Sequence, residues 1–128
     1  MSANKNINTV QDYEDVLAAM EGYVHGLKTG NVAELKKTFH KDAIMYGHLG
    51  SDLSQGSIDN LYTYVEKFGA APNIKTNLTV LHKTPTTAVV RIEMEHDAAD
   101  EDFTDFHSLI KIDGAWKVVA KLFHLYDK

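Results

Sequence analysis

The hydrophobic period of this chain changes partway along. Before residue 70 most apolar residues recur at helical spacing; from Lys75 to Leu125 they alternate, as half-buried strands do. A chain ordered this way packs its helices on one face of a sheet, which defines an α+β fold. At 128 residues it has the length of one domain, so residues 1–128 are read as a single unit with 1–8 as a flexible N-terminal tail.

Local signals place the elements. Tyr13, Val16, Leu17, Met20, Val24 and Leu27 form one helical stripe, with Thr9 as N-cap, Asp12 three residues on and Gly30 as the stop. Asn31 opens a second, short helix with Glu34 in capping-box position, carrying Val32, Leu35 and Phe39 inward. A third starts at Ser57, presents Ile58, Leu61, Tyr62, Val65 and Phe68, and stops at Gly69. Ala43 to Leu49 reads as a short strand and Gly50 to Gly56 as a polar turn. Lys75–Lys83, Thr87–His96, Phe103–Ile112 and Ala115–Leu125 read as strands, the last two joined by the hairpin pair Asp113-Gly114.

Alternation also sorts the faces, unless a bulge reverses parity. Ala88, Val90, Ile92, Met94 and His96 share the inner face of their strand. With Lys111 taken as outward, Thr104, Phe106, Ser108, Ile110 and Ile112 point in, and Asp105 and His107 point out unless a bulge makes them an acid–base dyad across a cavity. In the last strand Trp116, Val118, Ala120, Leu122 and His124 point in. Val89, Val119 and Phe123 are left on the outer face among charges, a pattern that fits a homodimer contact.

Composition removes several function classes. There is no cysteine, hence no disulfide, thiolate metal site or cysteine nucleophile. The net charge is −5 with scattered Lys and Arg, so no nucleic-acid footprint is visible; the acidic stretch from Glu93 to Asp102 reads as a solvated hairpin end. No apolar run is long enough for a membrane span and Met1 to Asn8 is polar, so the expected location is cytoplasmic. The seven histidines show no H-x-H or H-x-x-x-H spacing, and no metal or other cofactor is expected.

Two segments carry a resemblance. Tyr23 to Gly47, with Thr29-Gly30-Asn31 and Phe39-His40-Lys41-Asp42-Ala43, resembles the first half of NTF2-like proteins. Phe103-Thr104-Asp105-Phe106 through Lys111-Ile112-Asp113-Gly114-Ala115-Trp116-Lys117-Val118-Val119 is similar to their last strands. Within that superfamily the chain is most similar to the group labelled "putative lumazine-binding". The resemblance implies a cone of three N-terminal helices on a strongly curved antiparallel sheet, enclosing a ligand pocket. Function does not follow, because the superfamily holds isomerases, dehydratases, cyclases and plain binding domains. Ungapped matching to ketosteroid isomerase puts its oxyanion tyrosine at Tyr23, its base at Gly47 and its neutral acid at Ser108, so two of the three groups are absent.

The expected function is the binding of a small, largely apolar or aromatic molecule. The alternatives are an isomerase-, dehydratase- or cyclase-type enzyme using a histidine base, and a non-catalytic interaction domain. Tyr23, His96 and His124 are the catalytic candidates, since tyrosine donates hydrogen bonds and histidine titrates near neutrality. His40, Tyr46, His48, Tyr62, Met94, Phe106, Ser108 and Trp116 join them as candidate pocket residues. Each also has an ordinary explanation: His40 as a cation at a helix C-terminus, Trp116 and Met94 as core.

Overall fold

Thr9 opens the first helix, α1 (Val10–Thr29), through a reciprocal capping box: its side chain accepts from the Asp12 N–H, while its own N–H donates to the Asp12 carboxylate. Gly30 closes that helix with φ 67°, a left-handed conformation that costs glycine little. Added at Gly30, a Cβ would also meet the Ala70 backbone at 2.9 Å. Asn31 then caps α2 (Val32–Thr38) by accepting from the Glu34 N–H at 3.1 Å. This computed structural model describes residues 9–127; the expected tail, 1–8, lies outside the described residues.

The remaining elements are β1 (Phe39–Leu49), β2 (Asp52–Ser57), α3 (Asp59–Phe68), β3 (Lys75–Lys83), β4 (Thr87–Glu95), β5 (Phe103–Ile112) and β6 (Ala115–Leu125). They form a sheet in the order β2-β1-β6-β5-β4-β3, with the helices packed against one face. Strand β2 stands where a polar turn was expected. It is an edge strand of polar, mostly exposed residues, so no alternation announces it. The sheet is mixed rather than antiparallel throughout, because β1 runs parallel to β6. Alternation reports which way side chains face and says nothing about the direction of a neighbouring strand.

Parity follows expectation in β4, where Ala88, Val90, Ile92 and Met94 are buried. In β5 it is reversed: Phe103, Asp105, His107 and Leu109 face the helices, while Phe106 and Ser108 face away. The reversal traces to Lys111. This residue lies on the helix-facing side, over the Trp116 ring, and reaches Asp12 at 3.4 Å. A long cationic side chain satisfied at a sheet end need not point to the outer face. In β6 the cause is a bulge. Val118 pairs with Leu109 and Ala120 with Ser108, so Val119 is an extra residue without a β5 partner. Trp116 and Val118 face inward before it; Lys121 and Phe123 face inward after it, turning Leu122 and His124 out.

No helix among the described residues is long and apolar enough to cross a membrane. Replacing Thr9 by alanine removes the acceptor at the head of α1 and should cost about 1 kcal/mol. Urea unfolding of Thr9→Ala against the parent chain measures this.

Candidate active site

A pocket opens between α1, α3 and the inward faces of β1, β4, β5 and β6. Leu27, Met45, Leu61, Val65, Met94, Phe103 and Phe123 supply its apolar walls. Tyr23, Tyr64, Asp97, Asp105 and Lys121 supply the polar groups. The cavity measures about 70 Å³. That is room for about two waters, at roughly 30 Å³ each, before any side chain moves.

The chemistry gathers at Asp105. Tyr23 donates its hydroxyl to Asp105 Oδ2 at 2.9 Å, from a helix position that is 1 % exposed. His107, two residues along β5 on the same face, brings Nε2 to the same oxygen at 3.3 Å. Facing a carboxylate, Nε2 carries the proton, which leaves Nδ1 as a bare acceptor without a partner among the described residues. The imidazole is sealed between Tyr23 and Phe39, at ring-centroid distances of 4.7 and 6.0 Å. Lys121 pairs in register with His107 from β6 and faces the same side. Asp105 Oδ1 has no hydrogen-bond partner among the described residues.

Electrostatics assigns the protonation states. Burial works to raise the Asp105 carboxyl, but the Lys121 charge and the hydrogen bonds from His107 and Tyr23 outweigh it. The group is held below its ordinary range and is ionised. Burial pushes the His107 imidazole down, with Asp105 offsetting only part of this, so the ring is neutral near pH 7. The Tyr23 phenol is raised well above its usual value by burial and then by the Asp105 charge, and stays a donor. Burial lowers the Lys121 amine, and the charges of Asp105 and Asp97 oppose the shift.

A second carboxylate organises the entrance. Asp97 accepts from the Tyr64 hydroxyl at 2.6 Å with Oδ2, and from the Ala99 and Glu101 N–H groups with Oδ1. It thereby folds the β4–β5 loop and ties it to α3. Part of the acidic stretch is thus structural, not simply a solvated end.

Among the expected site residues the cavity collects Tyr23 and Met94. His96 terminates β4 with φ 59° and pairs at the surface with Asp100 at 2.8 Å. His124 is exposed and packs on Tyr126 at 4.8 Å. Tyr46, His48, Phe106 and Ser108 lie exposed on the outer face. His40 accepts from the Asp42 N–H at 3.0 Å near the start of β1. Tyr62 and Trp116 are buried outside the cavity walls, beneath Lys36 and between Lys83 and Lys111 respectively. Asp105, His107 and Lys121 take their place through the two parity reversals. A tyrosine–acid pair does exist, as Tyr23 with Asp105 instead of Ser108, but its acid is ionised. The position matched to the isomerase base is closed: a Cβ at Gly47 would meet the Phe123 carbonyl oxygen at 2.5 Å and its ring at 2.6 Å. Among the described residues no three His, Asp or Glu side chains are grouped to hold a metal.

Fold and cavity together define an NTF2-like α+β domain with a buried acid–base cluster. The chain belongs to the family described as "Putative lumazine-binding", whose model matches residues 11–124. It is 37% identical over 120 residues to a curated protein of Cladobotryum sp named aldolase FrzH, covering 94% of this chain and 96% of that one. Among solved structures, an NTF2-like protein of unknown function from Methylobacillus flagellatus matches with a TM-score of 0.89 and 31% identity, over 94% of this chain and 97% of that one. An NTF2-like protein of unknown function from Shewanella baltica matches with a TM-score of 0.87 and 25% identity, over 94% and 98%.

The histidine has a pH consequence. His107 folds neutral with its pKa below 6.5, so the unfolded chain binds the proton more readily and stability falls as pH drops below 6.5. Asp105 adds a further loss as pH falls below 3.8, toward its depressed folded value. His107→Gln keeps an N–H donor toward Asp105 but cannot titrate. Urea unfolding from pH 7 to pH 5 should show a shallower decline in this variant than in the parent.

Proposed function

We propose that this protein is an acid–base enzyme that makes or breaks a carbon–carbon bond beside a carbonyl group, an aldol-type reaction on a small, largely apolar substrate. The observation that carries the reading is an ionised carboxylate held by Tyr23 and His107 at the wall of an apolar cavity, with a lysine beside it. A pocket that only bound an apolar molecule would have no use for buried charge, which costs several kcal/mol per ion to desolvate. The similarity to a protein named aldolase points the same way.

Asp105 is the proton acceptor. The Cα–H bond of the substrate breaks, its proton passes to Oδ1, and its electron pair moves through the new C=C bond onto the carbonyl oxygen. The resulting enolate carbon attacks a second carbonyl, whose oxygen recovers the proton from Asp105. Tyr23 and His107 hold the carboxylate in position, and Lys121 faces the carbonyl oxygen as charge develops there. The test is exchange of Cα protons for deuterium in a panel of small ketones in D2O, followed by NMR. The parent chain should accelerate exchange, and Asp105→Asn should slow it by about 10²-fold or more. Ligand binding detected by thermal shift without accelerated exchange anywhere in the panel would leave a binding domain instead.

We further propose that a second copy of the chain covers the outer sheet face. Tyr46, Leu122 and Phe106 are in register across β1, β6 and β5 and are 40%, 56% and 39% exposed, with Ile44 beside them at 44%. This one continuous apolar patch replaces the expected set, since Phe123 is buried inside. Sedimentation equilibrium at micromolar concentration should give a dimer, and Leu122→Asp a monomer.

A further inference from the structure

Among the described residues two lysines are buried, and they are treated differently. Lys83 has a structural setting: its ammonium lies 3.8 Å from Asp12, donates to the Thr84 carbonyl at 3.1 Å, and sits over the Tyr13 and Trp116 rings. Lys121 has no such setting. It is 7 % exposed at the middle of the sheet, between Met45 of β1 and His107 of β5. No carboxylate among the described residues lies within the 4.0 Å of an ion pair with it. Its nearest aromatic contact is the Phe123 ring, 4.5 Å from Nζ. Its side chain lines the cavity beside Asp105 and Tyr23. Buried lysines are ordinarily paired or reach back to water, so one left facing an apolar cavity calls for a partner that arrives from outside.

We propose that Lys121 is the nucleophile of this site, forming a Schiff base with the carbonyl carbon of a small apolar ketone or aldehyde. The inference rests on the aldol-type reading above and specifies how its carbonyl is activated. The neutral amine adds its lone pair to the carbonyl carbon. Asp105 carries one proton from nitrogen to the oxygen, and a second, taken up from solvent and returned when the iminium is later hydrolysed, lets that oxygen leave as water as the C=N bond forms. Loss of the Cα proton to Asp105 then sends the C–H electron pair into a C=C bond and the C=N pair onto nitrogen, giving an enamine. The enamine carbon attacks the second carbonyl, whose oxygen takes the proton from Asp105. Water hydrolyses the iminium and returns the free amine. The desolvation that lowers the amine enlarges its neutral, nucleophilic fraction, as such lysines require.

Reductive trapping tests this. The parent chain is incubated with cyclohexanone or acetone and sodium cyanoborohydride, then mapped by peptide mass spectrometry. Expected is modification of Lys121 ahead of the surface lysines and loss of Cα–deuterium exchange in step with it. In Lys121→Arg the adduct and the exchange should both disappear, whereas Asp105→Asn should lose exchange and still form the Lys121 adduct, more slowly than the parent. A second probe, 2,4-pentanedione, forms an ultraviolet-absorbing enaminone with a neutral amine without reduction. It locates the reactive lysine in the unmutated chain even if Lys121→Arg fails to fold. Exchange that persists in the parent with no adduct at Lys121 from either probe overturns the Schiff base and leaves the acid–base reading standing. Absence of both adduct and exchange overturns the two together.

Discussion

An ionised carboxyl group inside a hydrocarbon interior dictates much of what surrounds it. Asp105 is almost fully buried, and its negative charge is tolerable only because two other elements and its own strand supply partners for it. Helix α1 delivers the Tyr23 hydroxyl, β5 itself returns the His107 imidazole, and β6 supplies the Lys121 charge. None of those groups would be buried comfortably alone. The network therefore couples helix placement, strand register and cavity shape, and removing one partner of such a buried set typically costs about 3–5 kcal/mol.

The cost is the argument for chemistry. Well-packed apolar side chains of similar volume in place of buried ion pairs are often neutral or stabilising, so stability alone does not call for these charges. The neighbouring Asp97 makes the contrast clear: its two oxygens accept from a tyrosine and two backbone N–H groups, so it is fully employed in building a loop. Asp105 keeps one oxygen without a hydrogen-bond partner among the described residues, and Lys121 keeps its amine against the cavity.

The parts of this architecture readable from sequence are those governed by neighbours along the chain. The Thr9 capping box, the Gly30 stop, the Asn31 cap and the Asp113-Gly114 hairpin all appear at the expected residues, because each depends on contacts within a few positions. The ends of β5 and β6 were legible for the same reason. Facing was harder. Whether Asp105 looks in or out was settled by where Lys111 could find a partner, and that partner, Asp12, lies 99 residues away. The alternation pattern singles out histidines at strand ends, where His96 and His124 are solvated, instead of His107 in a strand middle, where the ring is sealed. A usable signal did exist in the run Asp105-x-His107: polar residues alternating with Phe103 and Leu109 on one face imply a buried polar stripe if that face is the core.

The bulge at Val119 has a consequence for how such a site can diversify. Drawing Val119 into the ladder as an ordinary paired residue would restore plain alternation along β6, turning Leu122 and His124 toward the helices and Lys121 and Phe123 away. The amine would leave the cavity and an imidazole would enter it, with no side chain substituted. Within a scaffold of this kind, whether one strand position is bulged or paired decides the whole reactive inventory at once. Comparing relatives by aligned identities alone would overlook such a change, since the letters stay the same while the faces trade places.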